Sequence, residues 1–188
     1  MKKKIFINLS VLFFISLTFS SCEKIKDLTD VDFDASLKAD IPVTSAAAGM
    51  NDLKTTDATY PFGGSAVIDP ASNSDIKKYW KKIRKWEVKK ITVKINSISE
   101  PATLVHGKLT VLDNSTEAIL IKKDAENMSL SGGTVILTIT GSNWNELINA
   151  LDAKHLLIVE VSGALDKPSV NVTFRVILDL KITANALE

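Results

Sequence analysis

The feature that most constrains the fold is a strict alternation of apolar and polar residues near the carboxyl end of the chain. Apolar side chains occupy every second position of residues 170–184, and mostly polar ones, such as Arg175 and Lys181, fall between them. A period of two puts each set on its own face of a strand, so this segment predicts a half-buried β-strand. It is much longer than the usual five or six residues, and we expect it to bend or to serve two sheets.

A second alternating segment, residues 31–43, predicts another strand near the amino end. Shorter apolar runs bounded by turn residues predict strands at residues 60–68, 88–98, 104–112, 118–122, 127–130, 134–140 and 155–162. We expect a bulge at Gly63-Gly64 and an irregularity near Lys89-Lys90. Many strands with short turns predict an antiparallel β-sandwich, immunoglobulin-like or jelly-roll-like, with two short helices. The alternative is an α+β sheet covered by helices on one face.

The most basic segment of the chain predicts an amphipathic helix. It begins at a cap formed by Ser72 or Ser74 and runs to Trp86, with Ile76, Tyr79, Trp80 and Ile83 on its apolar arc. The opposite arc carries Lys77, Lys78, Lys81, Lys82, Arg84 and Lys85. This arc is either a solvated face or a contact for anionic groups, namely lipid headgroups, lipopolysaccharide or an acidic partner protein.

The three tryptophans also have two interpretations. Trp80, Trp86 and Trp144 lie in phase with apolar neighbours and predict core packing, whereas exposed rings would stack on sugars. Trp86, at the end of the basic helix, is the one we expect to be most exposed. Trp144 belongs to the second predicted helix, residues 143–153, which Ser142 would cap.

The first residues have the order of a secretory signal peptide. Three lysines precede an apolar run at residues 5–19, and the small residues Ser20 and Ser21 precede Cys22. The apolar run is shorter than the roughly 20 residues that a membrane-spanning helix needs. We therefore expect residues 1–21 to be removed on export.

The segment Phe19-Ser20-Ser21-Cys22 resembles the lipobox of bacterial lipoproteins, in the form found in Bacteroidota. The resemblance covers residues 1–22 and implies cleavage before Cys22, a lipid on its sulfur and an acylated amino terminus. With Glu23 next, it favours the outer membrane and leaves the periplasmic or surface face undetermined. The single cysteine cannot form an internal disulfide, which fits a lipid anchor. Residues 22–30 then form the acylated tether and 31–188 a single domain.

Composition excludes some classes of function. Without residues 1–21 the chain keeps 20 basic and 22 acidic residues, a net charge of −2, which disfavours a nucleic-acid binder. The sequence has two histidines, His106 and His155, with no zinc spacing and no Gly-x-Ser-x-Gly motif. Aspartates that could attract calcium lack a ligand-gathering loop; they are Asp30, Asp32, Asp34 and Asp40.

No catalytic residue, cofactor site or metal site is predicted, although paired carboxylates from distant positions leave an enzyme open. We expect a lipid-anchored protein of the bacterial cell envelope, with a non-catalytic binding or structural module. The module would engage an envelope component or a partner protein. The alternative is an extracytoplasmic protein that binds a glycan or a lipid in an enclosed pocket.

Overall fold

The computed structural model describes residues 29–47, 58–141 and 143–187, which form a sandwich of two four-stranded antiparallel sheets. The strands are β1 Asp30–Thr44, β2 Tyr60–Ile68, β3 Ile83–Ile98, β4 Ala102–Asp113, β5 Ile119–Leu130, β6 Val135–Ile139, β7 Leu157–Leu165 and β8 Asn171–Asn185. The helices are α1 Ser74–Tyr79, which follows a 3₁₀ turn at Pro70–Ser72, and α2 Asn145–Asp152.

The strand order is that of a jelly roll. The first sheet has the order β1-β8-β3-β6 and the second β2-β7-β4-β5. β1 pairs with β8, β2 with β7, β3 with β6 and β4 with β5, so the chain is one long hairpin rolled into a sandwich. The predicted antiparallel sandwich is confirmed. The α+β alternative is wrong, because the sheets cover each other and the helices lie at one end.

The two alternating segments form the best predicted part of the core. β1 and β8 pair without a break from Asp30 opposite Asn185 to Thr44 opposite Asn171. Their inward side chains, such as Ile41 and Leu180, are buried at 0% and 1% exposure. β8 lies between β1 and β3 in one sheet, so the expectation that it could serve two sheets is wrong.

Of the two strand irregularities predicted from the sequence, one is present in the structure and one is not. The register of β3 against β8 shifts between Val88 and Lys90, as expected near Lys89-Lys90. β2 pairs with β7 without a shift, so the bulge expected at Gly63-Gly64 is absent from it. A Cβ at Gly64 would lie 2.8 Å from Val43 Cγ1, so this glycine allows β1 and β2 to approach closely.

The edge strand β5 is continuous, whereas the sequence predicted two short strands at 118–122 and 127–130. The charged residues between the two predicted strands interrupt the alternation from which a strand is predicted. Lys122 to Asp124 and Glu126 are exposed along the rim of the sandwich, so the alternation of buried and exposed residues disappears there.

The sandwich has two different ends. One, the helical end, carries both helices, the first residues of β1, the last residues of β8 and the turn at residues 114–118. The opposite, far end carries the loops after β1 and before β8 and the turns after β3 and β5. Ser142 lies outside the described residues, as do Cys22 and residues 1–28 and 48–57.

Candidate functional site

The helical end is where the described chain begins and where β1, β3 and β8 meet. The amide of Ala186 donates to the carbonyl oxygen of Thr29 over 2.8 Å. The amide of Asn185 donates to the carbonyl oxygen of Lys82 over 2.9 Å. Thr29 and the start of β3 therefore flank the last residues of β8, one on each side. The chain that leads in from Cys22 joins the sandwich at this end.

The predicted basic helix is in fact a helix, a turn and a strand. α1 ends at Tyr79, and the amide of Lys82 donates to the Tyr79 carbonyl over 2.7 Å in the following turn. β3 begins at Ile83, and Trp86 pairs with Ile182 of β8. The expectation of one helix to Trp86 is wrong, because pairing along the central strand outweighs a local preference for helix.

Both helix caps differ from the predicted ones. The side-chain oxygen of Asn73 accepts from the amides of Asp75 over 3.0 Å and Ile76 over 3.2 Å. Asn73 therefore caps α1 in place of Ser72 or Ser74, a role for which asparagine is as well suited as serine. α2 starts at Asn145, two residues later than predicted, with Trp144 at its cap position.

α1 is held against the sandwich by its apolar side chains. Ile76 is fully buried, and the ring of Tyr79 lies 5.3 Å from the ring of Phe33 on β1, between ring centroids. The polar side of α1 and the turn after it carry four lysines, which we call the lysine cluster: Lys77, Lys78, Lys81 and Lys82. The cluster thus lies at the helical end.

Among the described residues, no carboxylate forms an ion pair with the lysine cluster. Within the described part of the chain none of its four ammonium groups lies within 4.0 Å of a carboxylate, and Lys78 instead contacts the ring of Tyr79. Two further residues of the predicted contact face lie on β3. Arg84 pairs with Asp30 over 3.2 Å, and Lys85 is exposed on the outer face of the first sheet. The six residues of the predicted face are therefore divided between the cluster and β3.

The aspartates considered for calcium binding form ion pairs across the outer face of the first sheet. Each pairs with a different cation: Asp30 with Arg84, Asp32 with Lys181 over 2.8 Å, Asp34 with Lys89 over 2.7 Å and Asp40 with Arg175 over 2.6 Å. Lys90 adds a pair with Asp179. Arg84, Lys89 and Lys90 therefore compensate acidic residues on neighbouring strands.

These contacts also set the protonation of the aspartates. Hydrogen bonds from Lys181 and Thr183 lower the pKa of Asp32, and those from Arg175 lower the pKa of Asp40. Both carboxylates are charged at neutral pH. In residues 29–47, 58–141 and 143–187 no group of three or more acidic, histidine or cysteine side chains is arranged to hold a metal ion.

The tryptophans belong to the core rather than to a stacking platform. Trp86 is 3% exposed, so the expectation that it is the most exposed of the three is wrong. It points inward from β3, and its ring meets that of Trp80 edge to face at 6.3 Å. Trp80 and Trp144 are half-buried against the core.

The fold brings together one polar cluster that the sequence pattern did not reveal. Asp113 ends β4, Ser115 follows in the turn, and His155 precedes β7. His155 Nδ1 lies 2.8 Å from Asp113 Oδ2, and Ser115 Oγ donates to Asp113 Oδ1 over 2.8 Å. Asp113 pairs with Leu157, which brings Asp113 close to His155. This contact can be predicted only when β4 is known to be next to β7.

Asp113 is the anchor of this cluster. Its residue is 5% exposed, and burial alone would raise its pKa. The hydrogen bonds from His155 and from the amide and hydroxyl of Ser115 outweigh burial and hold the pKa well below its usual range. The carboxylate is therefore charged, and it ties the β4–β5 turn to the start of β7.

The cluster contains the three residue types of a hydrolase triad but not its geometry. In a triad the serine hydroxyl contacts the ring nitrogen that the aspartate leaves free. Here Ser115 Oγ is nearer to Nδ1, at 2.9 Å, than to Nε2, at 3.4 Å, and Nδ1 is the atom bonded to Asp113. The serine also donates its proton to the carboxylate. The arrangement is that of a structural clamp. His106, the other histidine, is exposed on β4.

A small cavity lies between the sheets near the edges formed by β5 and β6. Its volume is about 30 Å³, and Phe62, Ala125, Ile136 and Phe174 are among its lining residues. That volume is about the share of one water molecule in the liquid. The cavity is too small for a sugar ring or an acyl chain.

Comparison with known proteins yields similarity of fold alone. No protein family and no curated protein matches the sequence. Among solved structures, the decameric BFDV capsid protein is 8% identical, with 81% of this chain and 99% of that chain covered and a TM-score of 0.45. The structure of Cocksfoot mottle virus is 14% identical, with 82% of this chain and 84% of that chain covered and a TM-score of 0.36. The structure of Desmodium yellow mottle tymovirus is 13% identical, with 84% and 91% covered and a TM-score of 0.29.

The described residues contain no helix with the length and hydropathy required to cross a membrane.

Proposed function

We propose that this chain is a lipoprotein of the bacterial cell envelope, anchored through Cys22, whose jelly roll is a non-catalytic binding module. The module engages an anionic component of the envelope through the lysine cluster at its helical end. The observation that carries the proposal is the position of the cluster. It lies at the same end of the sandwich as Thr29, where the chain from the anchor enters.

The tether keeps the helical end close to the anchor. Seven residues separate Cys22 from Asp30, and fully extended they span at most about 25 Å. With Thr29 at the helical end, this end lies nearer to the anchoring membrane than the far end does. Electrostatic attraction in physiological salt acts over about 8 Å, so lysines at this end are the ones placed to meet anionic headgroups.

The charge distribution supports the same role for the cluster. On the outer face of the first sheet five cations are paired with aspartates, whereas the cluster has no paired carboxylate among the described residues. Each lysine near an anionic leaflet contributes about 1 kcal/mol of attraction, so four give a useful but salt-sensitive interaction. For the competing interpretation, a ligand enclosed between the sheets, the cavity near β5 and β6 offers about 30 Å³.

The anchor is tested by the full-length chain carrying Cys22→Ser. We expect this variant to lose labelling with radioactive palmitate and to leave the membrane fraction. Replacement of Ser21 by Thr, which keeps the cysteine, serves as a control for export and expression. Labelling that persists in Cys22→Ser would refute the lipoprotein assignment.

The cluster is tested with vesicles that contain phosphatidylglycerol. The chain from residue 22 with Cys22→Ser retains every strand, since all eight lie within residues 30–185. We expect it to sediment with the vesicles at low salt, and Lys77→Glu/Lys81→Glu to stop this. The matched control is Lys38→Glu/Lys123→Glu, which makes the same charge change at exposed strand positions away from the cluster. Equal effects of the two pairs would show that only net charge matters and reject the cluster as a site.

A further inference from the structure

An apolar row crosses the outer face of the second sheet at the helical end. Each of its four strands contributes one residue, and the residues are directly paired from strand to strand. Val67 of β2 is opposite Ile158 of β7, Ile158 is opposite Leu112 of β4, and Leu112 is opposite Ile119 of β5. We call these four residues the apolar row.

The apolar row is accessible to solvent and is not part of the core. Val67 is 57% exposed and Ile119 55%, and the adjoining Leu156 is 38% exposed. Leu112 and Ile158 are half-buried but do not pack against the core cluster between the sheets. Scattered exposed apolar residues are ordinary, whereas a contiguous set that crosses a sheet marks an interaction surface.

Polar residues bound the row on the side of the far end. The next residues outward-facing on the same strands are Ser65, Glu160, Thr110 and Lys122. The row therefore does not continue along the sheet. Its other side is the helical end itself, where one residue, Asp69, separates β2 from the turn at Pro70–Ser72 that precedes α1. The apolar row and the lysine cluster thus flank the same end of the sandwich.

We propose that the apolar row enters the interfacial region of the anchoring phospholipid bilayer while the lysine cluster contacts its anionic headgroups. This inference rests on the proposed function, because the anchor brings the helical end to the membrane. The position at which the tether joins, beside Thr29, favours a lipid surface as the occupant. Basic and apolar groups at one end are the combination that binds the interface of anionic bilayers.

Acidic groups near the apolar row oppose its contact with an anionic bilayer. Glu117 in the β4–β5 turn and Glu146 on α2 are exposed at the helical end on the side of Ile119. Asp69, which follows β2, and Asp75 on α1 are exposed on the side of Val67 and the lysine cluster. Anionic headgroups repel all four acidic residues, so binding depends on the lysines and the apolar row outweighing them. Glu117→Gln is accordingly expected to strengthen binding to anionic vesicles.

The inference is tested with the Cys22→Ser chain from residue 22 and vesicles of phosphatidylglycerol and phosphatidylcholine. We compare Val67→Thr/Ile119→Thr with Val135→Thr, which alters a valine that is 50% exposed on β6, away from the helical end. The row variant should bind roughly tenfold more weakly and lose the binding that resists high salt. The control should bind as the parent does.

A direct probe of insertion is a tryptophan at the row. Ile119→Trp should show fluorescence quenching by lipids brominated on their acyl chains, beyond the background from the native tryptophans, whereas Val135→Trp should not. Binding that depends on the lysine cluster but is unchanged in Val67→Thr/Ile119→Thr, without quenching of Ile119→Trp, overturns the insertion and leaves the proposed function intact. A parent chain that fails to bind the vesicles at any salt concentration overturns both.

The same variants identify a different occupant. If Val67→Thr/Ile119→Thr converts a dimer into a monomer in sedimentation while vesicle binding stays unchanged, the row is an interface between two copies. That result also overturns the insertion.

Discussion

Each end of the sandwich has a buried polar side chain that ties loops and strands together, and the two side chains differ in charge. At the far end Ser45 is 2% exposed; its hydroxyl accepts from the amide of Val170 over 2.9 Å and donates to the carbonyl of Lys167 over 2.8 Å. At the helical end the ionised Asp113 accepts from His155 and Ser115. We call Ser45 the neutral lock of the far end and Asp113 the charged lock of the helical end.

This difference concerns how the buried side chain holds each end. At the far end the hydrogen bonds of Ser45 tie β1 to β8 without an ionisable group. The helical end combines the ionised Asp113 with the lysine cluster and the apolar row. Everything that we propose for binding therefore lies at the end that carries the buried carboxylate.

The largest effect that separates the two ends is expected from Asp113→Asn. The substitution removes the charge that His155 and Ser115 stabilise, and we expect the free energy of unfolding to fall by about 2–3 kcal/mol at pH 7. Urea denaturation measures it. Asp124→Asn, at an exposed position of β5, is the matched control and should change stability by less than about 0.5 kcal/mol. Equal effects of the two would show that Asp113 is not a lock.

The same carboxylate predicts how the difference changes with pH. The pKa of Asp113 is lowered from the ordinary value of 3.8, so its contribution is fully present above that value and is lost as the pH falls below it. The stability gap between the parent chain and Asp113→Asn should therefore narrow as the pH falls below about 4. Denaturation curves at several pH values check this, and a constant gap down to pH 3 would contradict it.

A smaller and pH-independent loss is expected at the far end. Ser45→Ala leaves the Val170 amide and the Lys167 carbonyl without their side-chain partner, which should cost about 1–2 kcal/mol. The loss should be the same at pH 7 and pH 4, because no ionisable group takes part. Ser65→Ala, at an exposed position of β2, is the control. A loss that varied with pH would remove the distinction between the ends.

The sequence predicted the parts of the fold in which the pattern of one strand is sufficient. β1 and β8 have clean alternation because each has one face on the core and one in solvent. The same rule failed at Trp86, where helical spacing and strand spacing both fit a short run, and the partner strand β8 decided the outcome.

Parts of the candidate sites could not be predicted from sequence for the same reason: they depend on which strands are neighbours. Arg84 and Lys89 look like part of one basic surface until the register places Asp30 and Asp34 next to them. The apolar row is invisible in sequence because it takes a single residue from each of four strands. The lysine cluster was found from sequence since its residues are contiguous, and only its relation to Thr29 required the structure.

Between the two ends, the outer face of the first sheet should respond weakly to substitution. Arg175 contacts both oxygens of Asp40, with Nε and Nη2 at 2.7 and 2.6 Å. Because the pair is solvent-exposed, we expect a coupling of about 0.5–1 kcal/mol in a double-mutant cycle of Asp40→Asn and Arg175→Gln. A coupling as large as the loss in Asp113→Asn would mean that the charged lock is not confined to the helical end.

The smallest effect on stability is expected where we propose the largest effect on binding. Lys77→Glu/Lys81→Glu changes two exposed side chains that form no ion pair with the described residues, so the free energy of unfolding should change by less than about 0.5 kcal/mol. Thermal and urea unfolding of this pair beside Lys38→Glu/Lys123→Glu measures it. A destabilisation above 1 kcal/mol would make the loss of vesicle binding a consequence of unfolding. Unchanged stability with lost binding identifies the lysine cluster as a surface whose charges are kept for a partner rather than for the fold.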